Sequence, residues 1–91
     1  MVPLFVIERE YAERVEPYLG AFEELNEINS AEGVRWLFSF LSLDRRKTYC
    51  LYEAPTAEMI LSAAAAAGLP ADSVVEVVGR VMPTGALEPV V

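Results

Sequence analysis

Of ninety-one residues, 54% are hydrophobic, more than a single domain of this size can hide inside one copy, so a shared apolar surface is expected. Seven Lys and Arg against fourteen Asp and Glu give a net charge of −7, which excludes a nucleic-acid backbone or an anionic membrane surface as the partner. One cysteine, Cys50, excludes an intrachain disulfide and a thiolate cluster, and there is no histidine to serve as ligand or base.

Pro3–Glu10 (PLFVIERE) has the length and β-former content of a strand, with Pro3 at the position where a missing N–H matters least. Val15, Tyr18, Leu19, Phe22, Leu25 and Ile28 then follow the spacing of one helix face, with Glu16, Glu23, Glu24 and Glu27 largely elsewhere. The helix is predicted to begin between Arg14 and Pro17, with Pro17 in its first turn, and to end near Ser30, where Gly33 permits a turn. Val34–Leu43 (VRWLFSFLSL) is the second strand and Thr48–Glu53 (TYCLYE) the third, joined by the polar Asp44–Lys47 segment. Thr56 caps a second helix, Glu58 suits its positive end, Gly68 closes it and Pro70 blocks its continuation. Ser73–Met82 is the last strand. The domain is read as residues 1–82, and residues 83–91, with two prolines and a glycine, are read as an irregular tail.

The order is β-α-β-β-α-β. Right-handed crossovers around a central hairpin make this an α+β, ferredoxin-like fold, with two helices on one face of a four-stranded antiparallel sheet. Side chains alternate between the faces of a strand, so a sheet with one wet face reads apolar-polar. These strands do not. Val34, Trp36, Phe38 and Phe40 are assigned to one face of the second strand, and Leu37, Leu41 and Leu43 to the other. Cys50 and Tyr52 oppose Tyr49 and Leu51, and Val75, Val77 and Val81 oppose Val74, Val78 and Met82. Two helices cover one face, and a second copy of the sheet is the simplest cover for the other, giving a dimeric α+β barrel. Each large side chain buried there contributes about 1.5–3 kcal/mol. A well-fitted set of them offsets an association cost of about 4–15 kcal/mol.

The run VRWLFSFLSLDRRKTYCLYEAPTAEMI, continuing to AAGLPADSVVEV, resembles a bacterial family of unknown function that includes a small nickel-binding protein of ferredoxin-like fold. The likeness rests on EGVRW, on KTYCLYEAP and on AGLPAD; it runs from Glu32 to Val78, with a weaker echo at VIERE. It implies a metal rather than a reaction. It also implies imidazoles, in the nickel-binding branch, at positions matching Glu8, Arg35, Phe38 and Leu69 here. Phe and Leu offer no lone pair, an arginine stays cationic, and nickel prefers nitrogen and sulfur donors. No metal site and no cofactor are therefore expected.

Cys50 is read as a small buried hydrophobe, because no imidazole is present to form its thiolate. Glu8, Arg9, Glu10, Arg35, Glu53, Glu76 and Arg80 are charges on or beside strands, which must pair, reach an edge or line a cavity. Glu8 with Arg35 is the expected pair. Trp36, Phe38, Phe40, Tyr49 and Tyr52 form an aromatic group that serves as core and interface, or as a stacking pocket for a flat ligand. The candidate pocket residues are Glu8, Arg35, Trp36, Phe38, Tyr52 and Glu53. The favoured function is a small dimeric binding or accessory protein of the nickel-binding-like family, partnered by itself and a small molecule. Two alternatives stay open. One is a cofactor-free isomerase, cyclase or oxygenase with Glu8 or Glu53 aimed into a pocket; the other is a structural subunit docking through its tail. With no basic leader and no apolar run of membrane length, cytoplasmic residence is the expectation.

Overall fold

The computed structural model describes residues 2–16 and 19–90, with backbone alone for 19–21. Chain order is β1 (Leu4–Glu10), α1 (Leu19–Ala31), β2 (Arg35–Leu41), β3 (Lys47–Glu53), α2 (Ala57–Ala67) and β4 (Ser73–Val77). The sheet runs β2-β3-β1-β4, every neighbour antiparallel, which is the ferredoxin-like arrangement. The predicted helix start, between Arg14 and Pro17, is not met at residues 14–16, which are irregular, while Pro17 and Tyr18 lie outside the described residues. Val15 is not helical: it lies in irregular chain, its N–H bonded to the Arg45 carbonyl at 2.7 Å.

Alternation in β1 and β3 is regular. Phe5, Ile7 and Arg9 sit opposite Tyr52, Cys50 and Thr48, and all six are buried on the helix-covered face. The core there joins Phe5, Ile7, Val34, Cys50, Tyr52, Ala54, Ile60 and Ala63. Ala63 and Ala64 are the buried small residues of α2, so that helix packs its backbone close to the sheet. Its ends follow from the sequence. The Thr56 hydroxyl accepts from the Met59 N–H, while Gly68 stands at φ 69°, ψ 29°. Leu69 N–H then reaches the Ala64 carbonyl at 2.9 Å and Gly68 N–H the Ala65 carbonyl at 3.2 Å, closing a Schellman motif.

The face assignment of β2 needs correction. Arg35 pairs with Glu53 and Trp36 with Tyr52, but the next partner, Leu51, faces Phe38, so a β-bulge leaves Leu37 as the extra residue. The bulge resets the alternation. Trp36, Ser39 and Leu41 lie on the helix side opposite Tyr52, Cys50 and Thr48, whereas Arg35, Phe38 and Phe40 lie on the open side. The Trp36 indole N–H donates to the Ser39 hydroxyl at 2.8 Å across the bulge.

The last strand also differs from its predicted extent, ending at Val77 rather than Met82. Beyond it β5 (Arg80–Val81) pairs with β6 (Leu87–Glu88), so the tail read as irregular forms half of a hairpin. Gly79 permits this departure: a Cβ there would stand 2.5 Å from the Glu88 carbonyl oxygen, closer than any side chain allows.

Candidate functional site: a cavity around a buried arginine

Alternation carries Arg9 onto the inner face in phase with Phe5 and Ile7, and it ends 2% exposed. A guanidinium stays charged whatever its surroundings, so burial costs it hydration that other groups must replace. Its Nη1 donates to the Pro70 carbonyl, and its Cζ stands 5.7 Å from the centre of the Tyr52 ring, a cation–π distance. Among the described residues no carboxylate lies within ion-pair distance of it.

Beside this guanidinium is a cavity of about 190 Å³ between the sheet, α1 and Leu69 in the turn that follows α2. Phe22, Trp36, Tyr52 and Leu69 supply apolar wall, and Arg9, Tyr11, Ser39, Thr48 and Cys50 supply polar atoms. Phe22 and Trp36 rings stand 5.4 Å apart, which fixes one wall. On the strand side, the Tyr11 and Thr48 hydroxyls share a hydrogen bond of 3.2 Å, and the Cys50 thiol leans on Thr48 at 3.4 Å. Burial pushes the Tyr52 phenol above its ordinary pKa of 10.0, against the opposing pull of Arg9, so it stays a neutral hydroxyl near neutrality. The AGLPAD segment sets the remaining rim. Asp72 N–H bonds the Glu8 carbonyl at 2.9 Å and the Asp72 carboxylate accepts from the Glu10 N–H at 2.6 Å, holding Leu69 and Pro70 over the end of β1.

The six predicted pocket residues divide between two places. Trp36 and Tyr52 line this inner cavity; Glu8, Arg35, Phe38 and Glu53 lie on the open face of the sheet. The expected pairing of Glu8 with Arg35 does not form. Glu8 takes Lys47 Nζ at 3.3 Å, and Arg35 takes Glu53 at 3.2 Å, because Glu8 stands level with Tyr49 and Arg35 level with Glu53, at opposite ends of the face. The Lys47 ammonium is correspondingly held above its ordinary pKa by its hydrogen bond to Glu8. Among the described residues no carboxylate lines the cavity, so neither Glu8 nor Glu53 is placed to act there as acid or base. In the sequence Arg9 groups with the charges that pair at strand ends. Its phase with Phe5 and Ile7 is the signal that it points inward.

Outside the cavity, a row of apolar side chains crosses all four strands of the open face. Phe38 stands opposite Leu51, Leu51 opposite Val6 and Val6 opposite Val75. Leu51 is 4% exposed, screened by its neighbours, but Phe38, Phe40, Tyr49 and Val75 keep 43%, 67%, 40% and 53% of their surface in water. At one end of this face an open groove of about 860 Å³ runs under the β5–β6 hairpin, bounded by Leu4, Val77, Leu87, Glu53, Glu76 and Glu88 among others.

The four positions that the resemblance sets against imidazoles fall in two places. Glu8, Arg35 and Phe38 are on the open face and Leu69 is at the inner cavity, so they share no site, and only one of them carries a donor atom free of positive charge. Among the described residues no cluster of three acidic or cysteine side chains could hold a cation.

No functionally curated protein matches the chain. A crystal structure of SCO4226 from Streptomyces coelicolor A3(2) is similar in fold, with a TM-score of 0.64 and 22% identity over 81% of this chain and 94% of that one. A family model described as nickel responsive protein SCO4226-like matches residues 5–77, the span that holds the sheet, both helices and the cavity. The chain belongs to that SCO4226-like family.

Proposed function

We propose that this protein is a non-catalytic binding protein that works as a homodimer, joined through the open face of its sheet, and that it does so without nickel. The observation that carries the dimer is the four-strand apolar row with Phe38, Phe40, Tyr49 and Val75 left in water. Exposed apolar patches of this kind mark interfaces. Charge favours a second copy of the chain as the occupant. The molecule is strongly acidic, at −7, yet this face carries three carboxylates (Glu8, Glu10, Glu53) against two cations (Arg35, Lys47), so two copies meet with little repulsion. Glu23, Glu24, Glu27 and Glu58 lie on the helices, away from it. The exposed Val81 and Leu87 of the hairpin, which borders the groove at the end of the sheet, extend the apolar surface.

The binding role draws on the cavity beside Arg9 and, among the described residues, on a lining that holds no carboxylate. Nickel response belongs to the family name, and the positions that would have to supply ligands here are Glu, Arg, Phe and Leu. Sedimentation equilibrium of untagged protein tests the central point. A dimer is expected at micromolar concentration, and Phe38→Asp with Phe40→Asp is expected to yield folded monomers. A monomeric parent protein at that concentration would defeat the proposal. Equilibrium dialysis against nickel is expected to leave less than one ion per chain.

A further inference from the structure

We propose that the inner cavity is a binding site for a small carboxylic acid with a single aromatic ring or a short aliphatic body, held by Arg9. This rests on the binding-protein reading above but not on the dimer.

Three features of the cavity converge on that ligand. The first is the charge. Arg9 is buried and cationic, and among the described residues its partners are the Pro70 carbonyl and the Tyr52 side chain, with no anion. A guanidinium presents five N–H donors in a planar fork matched to a carboxylate, so a ligand anion supplies what the protein does not. The second is size. An apolar cavity of about 150 Å³ holds benzene. The 190 Å³ here adds room for a carboxylate but falls below the roughly 300 Å³ at which pockets for drug-sized molecules begin. The third is the distribution of chemistry around the space. Phe22, Trp36 and Leu69 form an apolar wall, while the Tyr11 and Thr48 hydroxyls stand with Arg9 among the polar lining groups. A polyphosphate or a sugar would leave many of its polar atoms against those rings. A monocarboxylate with an apolar body satisfies both parts.

A buried cation without a counter-charge carries a cost that serves as an independent mark. Replacing such a charge by an apolar side chain of similar length is often neutral or stabilising when the charge was poorly compensated. Arg9→Met is therefore expected to fold, with a thermal midpoint no lower than that of the parent protein in ligand-free buffer.

Trp36 is the single tryptophan of the chain and lines the cavity, so its emission reports on occupancy. The protein is titrated with sodium benzoate and, separately, with benzyl alcohol, which keeps the ring and lacks the charge. Benzoate is expected to change Trp36 emission saturably, and to bind at least about tenfold more tightly than the alcohol, the usual scale for a charge-assisted contact. Arg9→Met is expected to abolish that preference. Leu69→Phe, which leaves the guanidinium in place and fills the wall, is expected to weaken both ligands. The proposal is overturned if benzoate gives no saturable change in the millimolar range. It is equally overturned if the two ligands bind alike, or if Arg9→Met binds benzoate as well as the parent protein. A chain that stays monomeric but takes benzoate removes the dimer and keeps this site; a dimer indifferent to benzoate does the reverse.

Discussion

Tyr52 lies where three of the forces in this protein meet: core packing, the cation of Arg9 and the edge of the cavity. Burial favours its neutral form, so its folded pKa is raised and the proton is held more tightly in the folded chain than in the unfolded one. Its contribution to stability is complete below the ordinary value of 10.0 and is lost as pH rises through the folded pKa. Urea midpoints measured from neutrality to alkaline pH are expected to fall on that limb, and Tyr52→Phe is expected to flatten the fall. An unchanged slope in the variant would mean that the phenol does not sense its surroundings. Gly68 illustrates a purely backbone effect. It stands at positive φ with nothing within 4 Å of the place a Cβ would take, so Gly68→Ala meets no clash and loses only the conformational ease of glycine. A cost of about 1–2 kcal/mol in denaturant unfolding is expected.

At the level of elements, the order of strands and helices was legible because each carried its own signal. Thr56 and Gly68 bracket α2, and Phe5, Ile7 and Arg9 keep strict alternation in β1. What the sequence could not reveal was a break in phase. VRWLFSFLSL is apolar at both parities, so nothing in its pattern says where one residue is inserted, and the bulge at Leu37 moved Trp36 to the opposite face from Phe38 and Phe40. That single residue parted Phe38 from Trp36; plain alternation already set Glu8, Arg35 and Glu53 on the face opposite Trp36 and Tyr52. The bulge also makes a prediction. Deleting Leu37 removes the extra residue and leaves every pairing on either side intact, so the variant is expected to fold with Trp36 still shielded. Deleting Ser39 instead would bring Phe40 opposite Cys50 on the inner face, and is expected to lower the urea midpoint far more. Equal losses from the two deletions, or a red-shifted Trp36 emission on losing Leu37, would contradict the register. The hairpin was hidden for a different reason: strands of two residues are too short to show a period, and only the absence of a side chain at Gly79 allows the chain to double back there.

For the whole molecule, the two faces of one sheet do different work. The inner face is covered by α1 and α2 and holds a cavity around a cation; the outer face, neutral in the main and apolar in its central row, is uncovered in a single copy. Overall composition pointed to this from the start, since an acidic chain with more than half its residues apolar has to place the surplus somewhere. Membership of the SCO4226-like family fixes the scaffold, over residues 5–77. The most direct test of the account is an isotope-filtered NOE experiment on an equal mixture of ¹³C-labelled and unlabelled protein, which reports only contacts between copies. Intermolecular cross-peaks are expected from the rings of Phe38 and Phe40 and the methyls of Val6 and Val75. Their absence, or cross-peaks arising from α1 and α2 instead, would contradict the pairing of two sheets.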